Sequence, residues 1–144
     1  MDDRFWYFIG LIQGSKRRDP TTDLTPLVSA LRDQDENVIF SFEEALARKA
    51  HALDTRAHYR RMCGLFPGKA DTFLYKRLAV VAQGPKVFAA LLSNPKHYRR
   101  WQTDWLEGLL YVAREAYELK NGEEMPYAPT VCIESFQNES GWRS

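Results

Sequence analysis

His51, Asp54 and His58 are the residues of this chain whose types and spacing come nearest to chemistry. Offsets of three, four and seven put them on one face if a single helix runs through all three. An imidazole and a carboxylate one turn apart can form an oriented acid/base pair. Two imidazoles with a carboxylate also suit a transition metal. The spacing works against the metal, because an i,i+7 pair spans about 10 Å at the helical rise. Both rings reach one ion only if the helix breaks between them. Surface histidines making local hydrogen bonds account for the same three residues.

Two further groupings carry charge in a pattern. Glu107, Tyr111, Arg114 and Glu118 follow one helical face, with Arg114 and Glu118 at ion-pair spacing. A carboxylate pair for glycoside-type chemistry needs two elements facing across a cleft, so a solvated polar stripe is the expected role here. The basic clusters Lys16-Arg17-Arg18, Arg60-Arg61 and Arg99-Arg100 alternate with Tyr59, Tyr98 and Trp101. Arginine beside aromatics can contact phosphates and stack on bases, yet the same residues dominate protein–protein hot spots. Cys63 lies beside Arg60, Arg61 and Met62, and neighbouring cations lower a thiol pKa; a buried helical cysteine is the commoner arrangement. The sequence has no GxSxG elbow, glycine-rich phosphate loop, HExxH or CxxC.

Helices have to position these residues. Asp2 or Asp3 can cap a first helix through Phe5, Phe8, Ile9 and Ile12, which Gly14 ends. Pro26 opens a short second helix. Asp35 caps a third, with Ile39, Phe42, Leu46, Ala50 and Leu53 as its buried stripe and Glu43, Glu44, Arg48 and Lys49 on the wet side. This helix is expected to continue through Ala57, Met62 and Leu65, either unbroken or with a break near Asp54 and Thr55. Asp71 caps the next helix, Gly84-Pro85 separates it from VFAALL, and Asn94-Pro95 is a further stop. Thr103 or Asp104 caps the last long helix, which Asn121-Gly122 closes. TVCIESF in the tail is β-compatible but lacks a partner strand, so the tail reads as extended chain packed on helices.

Composition narrows the class. The chain has 144 residues, 44% hydrophobic and 13% aromatic, enough for one well-cored globular domain. With 20 basic and 19 acidic residues the net charge is +1, so no global field favours nucleic acid or an anionic membrane. The apolar runs are too short to span a bilayer. MDDRFWYFIG lacks the basic start and small-residue cleavage site of a secretory signal. Two cysteines allow at most one bridge, and free thiols in a reducing cytoplasm are expected.

An ordered series of residues carries a resemblance over nearly the whole chain to Pro126. It comprises Asp3, Phe5 and Trp6, then Asp71, Phe73, Tyr75, Arg77 and Gln83-Gly84, then Val87 to Leu92 and Pro95. Glu107, Tyr111-Val112-Ala113, Ala116-Tyr117-Glu118, Gly122 and Pro126 complete it. In this series the chain resembles the bacterial proteins grouped as domain of unknown function 4240. The resemblance implies a fold and a bacterial origin, and no chemistry. It also has departures: Ala70 replaces one of a pair of acids, and Lys76 and Ala79 stand where the family carries an aromatic and a tryptophan. A site built from those residues in relatives is absent here.

The expectation is an all-α, single compact domain of about six or seven helices over residues 1–126, with an extended tail over 127–144 packed on it. The function expected is non-catalytic binding of another protein, an immunity or antitoxin role being one form by analogy. The alternatives are a small enzyme or metal-binding protein centred on His51, Asp54 and His58, and a weak nucleic-acid binder acting through the arginine–aromatic clusters. No cofactor, no resident metal and no membrane association are expected.

Overall fold

The computed structural model describes residues 2–12, 17–99 and 104–143. Among these it has eight α-helices, two short 3-10 turns and no strand. The helices are α1 (Asp2–Ile9), α2 (Thr25–Arg32), α3 (Glu36–Ala52), α4 (Arg56–Cys63), α5 (Ala70–Ala82), α6 (Pro85–Ser93), α7 (Val112–Asn121) and α8 (Glu139–Trp142). The fold is all-α, a compact body with a C-terminal tail. Among the described residues no helix is long and apolar enough to cross a membrane.

α3 runs through the middle and packs against α1, α2, α5 and α7. Its stripe of Ile39, Phe42, Leu46 and Ala50 is fully buried. Phe5 and Phe8 of α1 close on Phe42 at ring-centroid distances of 4.9 and 6.2 Å. From the other side Leu78, Val81, Leu91, Leu109 and Ala113 complete the core, with Phe88 half-buried at its edge.

The helix boundaries follow local chemistry with instructive exceptions. Gly84 takes φ 106°, a conformation open to glycine, and Pro85 starts α6. Gly122 closes α7 in the left-handed conformation. The break at Asp54 is real: Thr55 caps α4 by accepting the His58 backbone N–H at 3.0 Å. Asp35 stands at the cap position of α3, but its side chain accepts no capping hydrogen bond. Asp71 lies inside the first turn of α5, whose cap position is Lys69. Asp104 does not cap the last helix. Its carboxylate is taken by the Arg18 N–H and by Gln83 Nε2 at 2.6 Å, and the chain winds up only at a 3-10 turn, Glu107–Tyr111, before α7. Gly14 and Thr103 lie outside the described residues.

The tail is not wholly extended, since it ends its described course in the single turn of α8. It runs in the same direction as α3 and is fastened to it stepwise. Glu44 accepts hydrogen bonds from Tyr127 Oη and from the Thr130 N–H and hydroxyl. One turn on, Arg48 donates to Thr130 Oγ1, and His51 Nδ1 meets the Cys132 carbonyl at 3.0 Å. These bonds satisfy backbone groups that TVCIESF would otherwise need a second strand to pair.

Candidate functional site

The stepwise fastening ends at Asp54, which the fold buries completely. Oδ1 accepts the Phe136 N–H at 3.0 Å and the Trp142 indole N–H at 2.9 Å. Oδ2 accepts the Gln137 and Asn138 N–H groups at 2.8 and 2.9 Å. Three successive amides can point at one carboxylate because Phe136 sits at φ 70°, forming an anion-binding nest. A bulky residue there costs about 1–3 kcal/mol, which the surrounding bonds offset. Gly141 completes the fit: a Cβ on it would stand 2.7 Å from the Asp54 carbonyl oxygen. All four of these hydrogen bonds are made inside the fold, out of solvent, and they fasten the tail to the helical body.

The histidines do not join it. His58 is buried, with Nε2 2.7 Å from the Leu91 carbonyl and Nδ1 2.7 Å from Thr55 Oγ1. Nε2 therefore donates to the Leu91 carbonyl, and Nδ1 faces the Thr55 hydroxyl, which can donate to a neutral ring. Burial pushes its pKa down, and the Leu91 bond opposes that. His58 is thus a core staple between α4 and α6, where a surface histidine was an alternative reading. His51 serves the tail. Among the described residues no three His, Cys, Asp or Glu side chains form a set able to hold a metal. His51, Asp54 and His58 do not converge on a common point.

Arg77 is the feature the sequence concealed. It is fully buried, donating to the Ala50 carbonyl at 2.7 Å, the Ile133 carbonyl at 3.2 Å and Ser135 Oγ at 3.0 Å. Its guanidinium also lies 4.6 Å from the Phe73 ring centroid. Desolvation brings its pKa down to about 10, with the charge of Asp54 opposing the fall. The signal was present, since Arg77 falls in register with Leu74 and Val81 on the apolar face of α5.

The polar stripe on the last helix is also rearranged. Arg114 pairs with Glu43 of α3, its Nε 3.8 Å from Oε2, and not with Glu118. Glu43, expected on the wet side of α3, has a side chain only 5% exposed. Oε2 is sealed from solvent and accepts no hydrogen bond. Burial raises the Glu43 carboxyl pKa despite Arg114. Its neighbour Glu44 goes the other way. Desolvation acts to raise it, but hydrogen bonds from Thr130, Tyr127 and Arg48 together outweigh that and hold it down at about 2. Glu43 opens on a cleft of about 330 Å³ between α3, the last helical segment and tail residues 129–133.

The basic clusters are engaged with the fold. Arg61 donates to the Tyr98 carbonyl at 2.7 Å, and Lys76 to the Met62 carbonyl at 3.0 Å, so cations line the C-terminal end of α4. Arg18 is buried with Nε on the Ala82 carbonyl. Tyr59 and Tyr98 are buried and present no face for a base; Lys16, Arg100 and Trp101 lie outside the described residues. Burial raises the Cys63 thiol pKa, the nearby Lys76, Lys69 and Arg77 notwithstanding. Below this basic face the loop between α4 and α5 holds Leu65 and Phe66 in solvent, 81% and 79% exposed. Tyr59 Oη donates to the Phe66 carbonyl at 2.6 Å, so the loop is anchored where it presents them.

Residues 1–119 match the family described as "Protein of unknown function (DUF4240)". The chain belongs to that family. Comparison with curated proteins and with solved structures finds no match. In this DUF4240 member the match takes in Asp54, Arg77, Glu43 and the Leu65–Phe66 loop. It stops short of the tail that supplies all four donors to Asp54 and two of the three acceptors of Arg77.

Proposed function

We propose that this protein is a non-catalytic module that binds another protein through the Leu65–Phe66 loop and the cationic face above it. The observation that carries the reading is that loop. Two adjacent large apolar side chains stand free of the core on a segment fixed by Tyr59. Arg60 and Lys69 flank them, and Arg61 and Lys76 extend the positive charge over α4 and α5. A partner with an apolar socket and an acidic rim fits this surface by shape and by charge. The free thiols of Cys63 and Cys132 support a reducing bacterial cytoplasm as the setting. An immunity or antitoxin role is one form of such a module, and it would appear as inhibition of the partner's own activity.

The test starts from a partner captured from the native host and reconstituted from purified components. Leu65→Ser with Phe66→Ser changes only exposed side chains and should leave the melting temperature as it was. Loss of two central contacts should weaken the reconstituted complex about thirtyfold or more. An unchanged affinity, or a partner that binds the opposite face, overturns the proposal.

A further inference from the structure

A cleft of about 300 Å³ lies between loop residues 20–24 and residues 105–111, and its wall is aromatic and acidic. Trp105 and Tyr111 contribute two rings, Pro20 and Leu24 an aliphatic side, and Glu107 is the one charged residue in the lining. The larger cleft beside the start of α1, about 510 Å³, differs in that its charges are mutually satisfied, Lys49 by Asp2 and Arg48 by Glu44. Glu107 is exposed and, among the described residues, forms no ion pair. Its partner is the Tyr75 hydroxyl, a neutral donor that orients the carboxylate and leaves its charge in place. Burial, followed by the charges of Glu107 and Asp71, pushes that hydroxyl up to about 12, so it remains a donor.

The backbone sets these walls in place. The Trp105 N–H donates to the Arg18 carbonyl and the Leu106 N–H to the Tyr75 carbonyl, at 3.0 and 3.1 Å. The Trp105 ring leans on Tyr75 with centroids 4.9 Å apart. Gly108 lets the 3-10 turn Glu107–Tyr111 close on Leu24, whose Cδ1 would stand 3.0 Å from a Cβ there.

We propose that this cleft binds a small trimethylammonium alcohol of the choline class. Aromatic faces attract cations, quaternary ammonium groups above all, because such a cation sheds its water cheaply. A primary ammonium brings three N–H donors that need acceptors, and here Thr22 Oγ1 already accepts the Asp19 N–H at 3.0 Å. A divalent metal needs several oxygen ligands, and the wall offers one carboxylate. The sign of the wall also selects the rest of the ligand. A phosphodiester or carboxylate carried beside the ammonium would face Glu107, with Asp19 and Asp23 in the adjoining loop and no cation in the lining to receive it. That favours the free alcohol over a phosphatidylcholine headgroup. A volume of about 300 Å³ is at the small end of ligand sites, as so small a compound requires.

The test titrates the full chain with choline, following heat and the Trp105 indole and Gly108 amide resonances. Choline should bind saturably with a Kd of about 1 mM or below. Its uncharged isostere 3,3-dimethylbutanol, and ethanolamine with its primary ammonium, should each bind about tenfold more weakly or worse. Glu107→Gln and Tyr111→Ala change exposed side chains, should keep the melting temperature, and should each weaken choline about fivefold or more. Phosphatidylcholine vesicles should not sediment the protein; sedimentation that free choline reverses would make the lipid the ligand and overturn the assignment. No saturation by choline at about 10 mM, equal binding of the uncharged isostere, or indifference to either substitution overturns it as well.

Discussion

Replacing Asp54 by alanine should free the C-terminal segment before it unfolds the helical body. The carboxylate accepts from the amides of Phe136, Gln137 and Asn138 and from the Trp142 indole, at 2.8 to 3.0 Å. Hydrogen bonds to a charged group contribute about 1.5–3 kcal/mol each, so four summed naively reach about 6–12. That is most of the stability of a typical domain, about 5–15 kcal/mol, and the sum cannot be realised in full. The segment will fray instead, and fraying caps the loss. What remains to hold it includes the aromatic cluster of Trp142 with Phe136, Tyr59 and Phe73, the Arg56 bond to the Trp142 carbonyl, and the bonds of Asn138 to the His51 carbonyl and of Ser135 to the Ala70 carbonyl.

The expected global loss is therefore about 3–5 kcal/mol, the usual cost of breaking a buried charged network from one side. It is read from urea unfolding followed by circular dichroism. The diagnostic readout is local. Hydrogen exchange at the amides of residues 136–138 should change from protected to nearly free, while amides of α3 and α5 slow or quicken only with global stability. Trp142→Phe, which deletes a single donor, should cost about 1–2 kcal/mol and leave the three amides protected. A loss below about 1 kcal/mol for Asp54→Ala, with residues 136–138 still protected, would refute the nest as the latch of the tail.

Glu43 and Glu44 should impose opposite pH dependences on stability. Glu44, depressed to about 2, contributes stability present above its unfolded value of 4.5 and lost as pH falls toward 2. After solvent screening that amounts to about 1–2 kcal/mol. Glu43, raised by burial, favours the fold below 4.5 and withdraws that support as pH rises through its raised value. Urea unfolding across pH should lose its low-pH rise in Glu44→Gln and its decline above 4.5 in Glu43→Gln; the reverse pairing would contradict both environments. Thiol labelling should find exposed Cys132 reacting first and half-buried Cys63 in a slow phase, with Cys132→Ser removing the fast phase.

The elements were legible because their signals are local. Gly84-Pro85, Asn94 and Gly122 each act on the adjacent turn, and the stripe Ile39, Phe42, Leu46 and Ala50 repeats within one helix. The charged residues were misread because their partners are remote. Asp54 lies one turn from His51 in sequence, yet its donors come from 82 to 88 residues downstream. Glu43 and Glu44 are adjacent on α3 and look equivalent in the sequence. One turns toward Thr130 and Tyr127 and the other toward α7, about 100° round the helix. Their register gave a usable hint. Glu43 and Arg77 each share the spacing of the apolar residues around them, and a charge in that register is either buried with partners or marks a kink.

The tail is best understood through the two charges it covers. Asp54 and Arg77 are the fully buried charged side chains among the described residues. Neither satisfies itself within residues 1–119: Asp54 takes every donor, and Arg77 two of its three acceptors, from 133–142. Stripped of the tail, the body would hold an anion and a cation in an apolar trough, each costing several kcal/mol to leave unpaired. Closing the trough with the tail serves both at once, because extended backbone carries a donor and an acceptor at every residue, although Arg77 Nε is left without a partner. Carbonyls at 133 go to the cation, and amides at 136–138 go to the anion. That division explains the strained φ at Phe136. The chain must reverse there, turning from presenting carbonyls to presenting amides within about three residues, and the left-handed conformation is what turns successive N–H groups to one side.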